Sequence, residues 1–238
     1  MTAGPAAELA DARTVDFPLR GEWVAIHTPA DRIPSHGTDM LGQRYAFDLI
    51  RFDGRKGGRY YPGSTARLLL FGVRTRDCHG WGEPIHAPLG GEVIVASDGL
   101  PERERIHPLR ELALVLRTAV TFRPTADGLR RVLGNHVILR HEDVYALFAH
   151  LTTGSVAVSV GQQVVVGDVL GRVGHTGNST APHLHFQLMD GSDPRTAAGV
   201  PCAFRACEVE QVGAWSRVEN AVPRSDERIR GVTDPDRS

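Results

Sequence analysis

The sequence has little cysteine and no surplus of charge of either sign. Its 238 residues include three cysteines and no Cys-x-x-Cys pair, which excludes a dense disulfide framework. Three reduced thiols are therefore expected, with a Cys202–Cys207 bridge as the alternative. The formal net charge of −1 gives no bulk field that would hold nucleic acid or an anionic membrane.

Long apolar runs are also missing. No stretch of 18 apolar residues is present that could form a transmembrane helix. The first 20 residues lack the basic start and apolar core of a secretory signal, so we expect no signal peptide and a cytoplasmic protein. The hydrophobic content of 41% at this length is nevertheless enough to bury a full core.

Both ends of the chain are expected to lie outside that core. Residues 1–20 are polar and aperiodic, which predicts a loosely ordered N-terminal lead. Residues 211–238 are mixed and charged, which predicts a C-terminal surface tail and leaves residues 21–210 as the folded domain. Within that domain the Gly- and Arg-rich stretch 51–66 predicts an exposed loop.

Strand signals dominate the remaining sequence. Short β-branched or aromatic runs, bounded by Gly, Pro or Asp, predict strands at residues 68–73, 91–96, 136–140, 145–149 and 182–186. The Gly- and Val-rich stretch 156–173 predicts a β-hairpin before the last of these strands. The pattern is typical of a mostly β protein, an antiparallel sandwich or barrel with loop insertions.

The most informative motif is a pair of histidines, His183 and His185, inside the last predicted strand. Because side chains alternate along a strand, both imidazoles are expected on the same face. Two neutral imidazoles on one rigid face form half of a metal site, and zinc accepts imidazole and carboxylate ligands.

Other candidates for the same site lie earlier in the chain. Asp48 stands between Phe47 and Leu49 in an apolar run, where a carboxylate is costly to bury unless it is paired or bound to a metal. Upstream of it lie His36 and Asp39, and His150 closes the strand predicted at residues 145–149.

Together these motifs resemble the lysostaphin-type (LytM-like) zinc metallopeptidases. The resemblance extends between residues 33 and 205. It depends on Asp48 in its apolar strand, on residues 149–151 (Ala-His-Leu), on residues 167–177 (Gly-Asp-x-Leu-Gly-x-Val-Gly-x-Thr-Gly), and on residues 182–186 (Pro-His-Leu-His-Phe). It implies a lysostaphin/glucose-permease-like β fold.

The resemblance also implies the chemistry. One histidine and one aspartate of an early motif would join the second histidine of the His-x-His pair as Zn²⁺ ligands, which are here His36, Asp48 and His185. His150 and His183 would be the catalytic pair that flanks a metal-activated water. The implied activity is that of an endopeptidase on peptide bonds, with peptidoglycan cross-links as the substrate class.

Several alternatives stay open at the level of the sequence. The family's usual His-x-x-x-Asp spacing is not met, so His36 could pair with Asp39 in place of Asp48. A metal-free homologue that binds or regulates a partner is a second function, and a histidine phosphocarrier of a related barrel is a third. The histidines outside the proposed site are expected to be surface or loop residues, with those at 86 and 175 bordering the groove: His27, His79, His86, His107, His136, His141 and His175.

Overall fold

A single large sheet dominates the protein. The computed structural model describes residues 5–54, 58–211 and 213–232, and within these residues twelve strands form that sheet. The prediction of a mostly β protein is confirmed. The three cysteines are all buried and free, so the reduced state is also the one seen.

Sixteen strands and four α-helices are present in the described residues. The strands are β1 (Arg13–Val15), β2 (Trp23–His27), β3 (Phe47–Ile50), β4 (Val73–Arg74), β5 (Pro84–His86), β6 (Gly91–Ser97), β7 (Arg105–Ile106), β8 (Asn135–His141), β9 (Val144–Leu151), β10 (Gln163–Val164), β11 (Val169–Arg172), β12 (Leu184–Met189), β13 (Gly199–Val200), β14 (Cys202–Gln211), β15 (Ala214–Ala221) and β16 (Arg228–Gly231). The α-helices are α1 (Pro5–Glu8), α2 (Thr65–Phe71), α3 (Pro108–Thr121) and α4 (Ala126–Leu133). Short 3₁₀ helices occur at Met40–Gly42 and Thr75–Asp77.

The order of strands in the large sheet is β1-β14-β16-β2-β3-β12-β9-β8-β6-β10, with β13 beside β12 and β15 beside β14. The pairing of β1 with β14 is parallel, and the other pairings in this sheet are antiparallel. Two small two-stranded sheets, β5 with β11 and β4 with β7, lie outside it.

The central strand β12 separates two apolar clusters. Its residues Leu184, Phe186 and Leu188 belong to the main core, whereas Met189 belongs to a smaller cluster. Because strand side chains alternate, His185 lies on the same face as Met189, opposite the main core. Burial of each large apolar side chain stabilises this arrangement by about 1.5–3 kcal/mol. The site is therefore built on a strand that is packed on both faces.

One predicted strand is wrong. Residues 65–71 form α2, because Ser64 caps the helix by accepting from Arg67 N (3.2 Å) and Gly72 ends it at a positive φ of 65°. Leu68 is the buried residue of this helix. A short apolar run has too little periodicity to distinguish a helix from a strand. Of the predicted strand, only Val73 lies in a strand, as the first residue of β4.

The predicted hairpin at residues 156–173 is also wrong. β10 pairs with β6, and β11 pairs with β5, so the two strands of this segment have different partners. The stretch contains the right turn residues for a hairpin, but partner choice was decided by long-range packing.

Both terminal segments contribute strands. The expectation of a loosely ordered lead is wrong for β1, which pairs with residues 202–204, and Val15 and Leu19 are buried. The expectation of a surface tail is wrong for β15 and β16, which pair with β14. The apolar residues of these polar segments are few, but Val15, Leu19, Ala221 and Ile229 belong to the main core. Residues 1–4, 212 and 233–238 lie outside the described residues.

The predicted loop at residues 51–66 is in part a helix start, since α2 begins at Thr65, and Tyr61 is buried. Residues 55–57 of this stretch lie outside the described residues.

Candidate metal centre and active site

The pairing of β3 with β12 places Asp48 directly opposite His185. Residues paired in this way share a face of the sheet. Both side chains are buried, and His185 Nδ1 lies 2.8 Å from Asp48 Oδ1. The apolar residues on the other face of the sheet fix the register of the two strands. This register brings together two residues that are 137 positions apart in the chain.

Three further imidazoles surround the carboxylate of Asp48. His36 Nε2 lies 3.0 Å and His27 Nδ1 2.8 Å from Oδ2, and His183 Nε2 lies 3.5 Å from Oδ1. The ring of His150 packs against that of His183. We call the side chains that meet at this point the histidine cluster: His27, His36, Asp48, His150, His183 and His185.

The hydrogen bonds of His185 fix which of its nitrogens carries the proton. Gln187 Nε2 donates to Leu41 O (2.8 Å), which turns the amide oxygen of Gln187 towards His185 Nε2 at 2.8 Å. His185 Nε2 then donates to this oxygen, and a ring that carries only this proton presents the lone pair of Nδ1 to the carboxylate.

A neighbouring side chain fixes the tautomer of His36 as well, in the loop between β2 and β3. Ser35 Oγ donates to Gln43 O (3.3 Å) and so accepts from His36 Nδ1 (3.0 Å). His36 Nε2 is left with a lone pair facing Asp48 Oδ2. Asp39, the alternative partner from the sequence, is 65% exposed at its side chain and is paired with Arg44 at 2.7 Å.

His150 and His183 form the other part of the cluster, with ring centroids 4.8 Å apart. His150 Nδ1 donates to Thr176 O (2.9 Å), and His183 Nδ1 donates to Ala181 O (2.7 Å). In each neutral ring this leaves Nε2 free to accept a proton.

A β-bulge places His150 in the cluster. Between Leu151 and Phe148, β9 has one residue more than β8, and His150 has a positive φ of 67°. This conformation is uncommon for a residue with a side chain, and a bulge re-aims a side chain that simple alternation would send elsewhere.

Part of the chain is similar to known proteins. The model of Peptidase family M23 matches residues 119–196, which include His150, His183 and His185. This segment is thus similar to the M23 peptidases. The chain is 41% identical over 109 residues to the DD-carboxypeptidase/endopeptidase Mpg of Neisseria meningitidis serogroup B, and 29% identical over 118 residues to the peptidoglycan DD-endopeptidase ShyA of Vibrio cholerae.

These matches cover 45% and 49% of this chain, but only 25% and 22% of the two relatives. The chain thus spans about a quarter of the length of the curated relatives it matches. Among solved structures, the catalytic domain of lysostaphin from Staphylococcus simulans has 25% sequence identity and a TM-score of 0.34, over 58% of this chain and 81% of that chain.

The residues of this site differ in their electrostatics. Burial alone would raise the pKa of Asp48, but the neighbouring imidazoles, His183 above all, hold it well below its usual range, so the carboxylate is charged. Burial opposes charge on His183, yet the adjacent Asp48 raises its pKa. Burial, together with His183 and His185, lowers the pKa of His150 well below its usual range. Burial also lowers the pKa of His36, against the pull of Asp48.

Two histidines expected at the surface or in loops are buried. His136 lies on β8, and its Nδ1 donates to Gly134 O (2.8 Å). His175 is 0% exposed, and both of its ring nitrogens have hydrogen-bond partners within the protein. Arg103 Nη2 donates to His175 Nε2 (3.0 Å), and His175 Nδ1 then donates to Ser179 Oγ (2.9 Å).

Ser179 continues this chain of contacts towards His183. Its Oγ donates to Ala181 O (2.7 Å), the same carbonyl that His183 Nδ1 contacts, and lies 3.2 Å from that nitrogen. A buried polar network thereby holds the side chain of His183 in place.

Sequence reasoning missed His27. It was expected to be a surface or loop residue, but it ends β2 and contacts Asp48. The available signal was the position of His27 at the end of an apolar strand, which precedes the strand that carries Asp48. The bulge that turns it towards the site has no signature in the sequence.

Proposed function

We propose that this chain is a zinc-dependent endopeptidase that hydrolyses peptide bonds of the peptidoglycan cross-link type. The observation that carries the proposal is the environment of Asp48: a buried carboxylate faces the lone pairs of His36 Nε2 and His185 Nδ1. Acceptors repel one another at hydrogen-bond distance, so a cation bound among them would stabilise this arrangement.

The donor set fits zinc. His36, Asp48 and His185 provide two imidazole nitrogens and one carboxylate oxygen, a set that catalytic zinc sites use while one coordination position stays open. The second nitrogen of each ligand imidazole is bonded to Ser35 or to Gln187, as is usual for ligand histidines. Zinc would lower the pKa of a bound water and polarise the scissile carbonyl.

His150 and His183 are the proposed proton carriers. Each keeps Nδ1 on a main-chain carbonyl and directs Nε2 away from it. A neutral His150, favoured by its lowered pKa, can accept a proton at Nε2. His183 lies between His150 and Asp48, where its Nε2 can hold a proton for the leaving amine.

Peptidoglycan as the substrate is supported by the names of the relatives, a peptidoglycan DD-endopeptidase and a DD-carboxypeptidase/endopeptidase. None of the α-helices in the described residues has the length and apolar character needed to cross a bilayer. The cytoplasmic location stays a prediction.

Metal content tests the proposal without a substrate. We expect about one zinc per chain in the wild type by elemental analysis, lost in His185→Ala and Asp48→Ala. Asp39→Ala is the matched control, and it should keep its zinc because Asp39 pairs with Arg44.

Loss of metal in Asp39→Ala but not in Asp48→Ala would show that Asp39 is the ligand in place of Asp48. Wild-type protein that stays empty in zinc-replete buffer would contradict the proposal and favour a metal-free binding or regulatory role. With metal established, cleavage of purified peptidoglycan, followed by chromatography of the released peptides, tests the substrate class.

A further inference from the structure

His27 lies outside the ligand set that the family resemblance implies, yet it reaches the same carboxylate. Strand β2 pairs with β3 so that Ala25 faces Leu49 and His27 faces Asp48. Between these two pairs β2 advances by two residues while β3 advances by one, so the extra residue is Ile26. Such a bulge turns a side chain to the face that regular alternation would deny it.

The distances place His27 within the ligand group. Its Nδ1 lies 2.8 Å from Asp48 Oδ2, the same oxygen that His36 Nε2 approaches at 3.0 Å. One ligand atom from each of His27, His36 and Asp48 lies within 4.8 Å of the others. Atoms bound to one zinc at about 2.0–2.2 Å can be no farther apart than about 4.4 Å, so only a small shift would bring all three onto one ion.

Exposure distinguishes His27 from the other histidines. Its side chain is 44% exposed, whereas those of His36 and His185 are 15% and 8% exposed. A ligand at the solvent side of the site can leave and return, while the buried ligands cannot move without opening the core.

We propose that His27 is a fourth protein ligand of the metal in the resting protein, at the coordination position that water and substrate use. The inference rests on the proposed function. Sites with four protein ligands are closed, and catalytic sites keep a position open. An exposed, exchangeable fourth ligand would therefore let this chain alternate between the two states.

A simpler role for His27 is a hydrogen bond that positions Asp48, and two substitutions separate the roles. His27→Ala removes both the ligand and the hydrogen bond. His27→Asn keeps a side-chain N–H donor near the position of Nδ1, but an amide is a poor zinc ligand. His86→Ala is the matched control, because His86 is another histidine near solvent on a strand end, bonded to Gly167 O.

Zinc affinity is measured by competition with a chromophoric chelator, and Co²⁺-substituted protein gives a visible spectrum that reports the ligands. We expect His27→Ala and His27→Asn to bind zinc at least about tenfold more weakly than the wild type. We also expect the Co²⁺ bands to change in both variants and to stay unchanged in His86→Ala.

Wild-type affinity and spectrum in both His27 variants would overturn the inference. Wild-type behaviour of His27→Asn alone would also overturn it, because His27 would then act through Asp48. In both cases, loss of metal in His185→Ala would leave the proposed function intact. A wild-type protein that binds neither Zn²⁺ nor Co²⁺ would overturn both.

Discussion

The two parts of the histidine cluster use the same side chain in different ways. Around Asp48, the imidazoles of His36 and His185 direct lone pairs at a carboxylate, because a side-chain acceptor takes the proton of the other nitrogen. In the second part, His150 and His183 donate to main-chain carbonyls and keep Nε2 for exchange. In all four residues the bonded far nitrogen leaves the other nitrogen with a lone pair. The two parts differ in how close that lone pair lies to Asp48: 3.0 Å for His36 and 2.8 Å for His185, but 3.5 Å for His183.

The substitution expected to have the largest effect on this difference is Asp48→Asn, which keeps the shape of the side chain and removes its charge. Structural zinc sites with four ligands bind with about 10–16 kcal/mol, so one ligand accounts for about 2.5–4 kcal/mol. We expect zinc affinity to fall by about 10²–10³-fold in a chelator competition.

Asp39→Asn is the control for a nearby exposed carboxylate, since Asp39 contacts Arg44 instead. An unchanged affinity in Asp48→Asn would mean that the carboxylate side of the cluster does not bind a metal, and the distinction between the two sides would be lost.

The second test removes the proposed proton carriers singly, as His150→Ala and His183→Ala. General acid–base groups contribute about 10²–10⁴-fold to rate, so peptide hydrolysis should fall by that factor. Zinc content, measured on the same samples, should stay at the wild-type level.

The thermal unfolding temperature of each variant is the check on folding, because both side chains are buried. Loss of zinc from a folded His183→Ala would place this residue among the metal ligands, together with Asp48, from which its Nε2 is 3.5 Å away.

The third test concerns Gln187, whose amide oxygen fixes the tautomer of His185. Gln187→Leu removes the acceptor and should weaken zinc binding about 10–100-fold, as substitutions next to metal ligands do. Gln187→Glu keeps an acceptor for His185 Nε2 and should retain most of the affinity. Equal losses in the two variants would indicate packing, since the role in fixing the tautomer predicts a difference.

The smallest effect is expected at His136, a buried histidine outside the cluster. Burial lowers its pKa below the usual value of 6.5, so the folded protein keeps it neutral where the unfolded chain takes up a proton. His136 therefore costs stability as the pH falls below 6.5, and this cost is absent above it.

His136→Asn keeps a donor for Gly134 O and cannot titrate. The stability of this variant, from urea unfolding between about pH 5 and 7, should fall less steeply towards acid than that of the wild type. Equal slopes would mean that the other buried histidines cause all of the acid sensitivity.

Much of the site could be predicted from the sequence. Asp48 stood out as a charge in an apolar strand, and His183 and His185 as a pair at strand spacing; the structure brings all three together. The order of the strands and their partners could not be predicted in the same way. The segment 156–173 has the turn residues of a hairpin, but β10 and β11 pair with β6 and β5. Local turn chemistry does not choose between partners that are far apart in the chain.

The sequence by itself determined the β-rich class, the strand that carries His185, and the chemical types gathered in the cluster, because alternation and burial cost act on neighbouring residues. Only the tertiary structure decided that His27 joins them, that His36 faces Asp48 and not Asp39, and that His175 is buried. The bulges at Ile26 and beside His150 arise from the fit between neighbouring strands. Each shifts the register by one residue, which moves a side chain to the opposite face of the sheet.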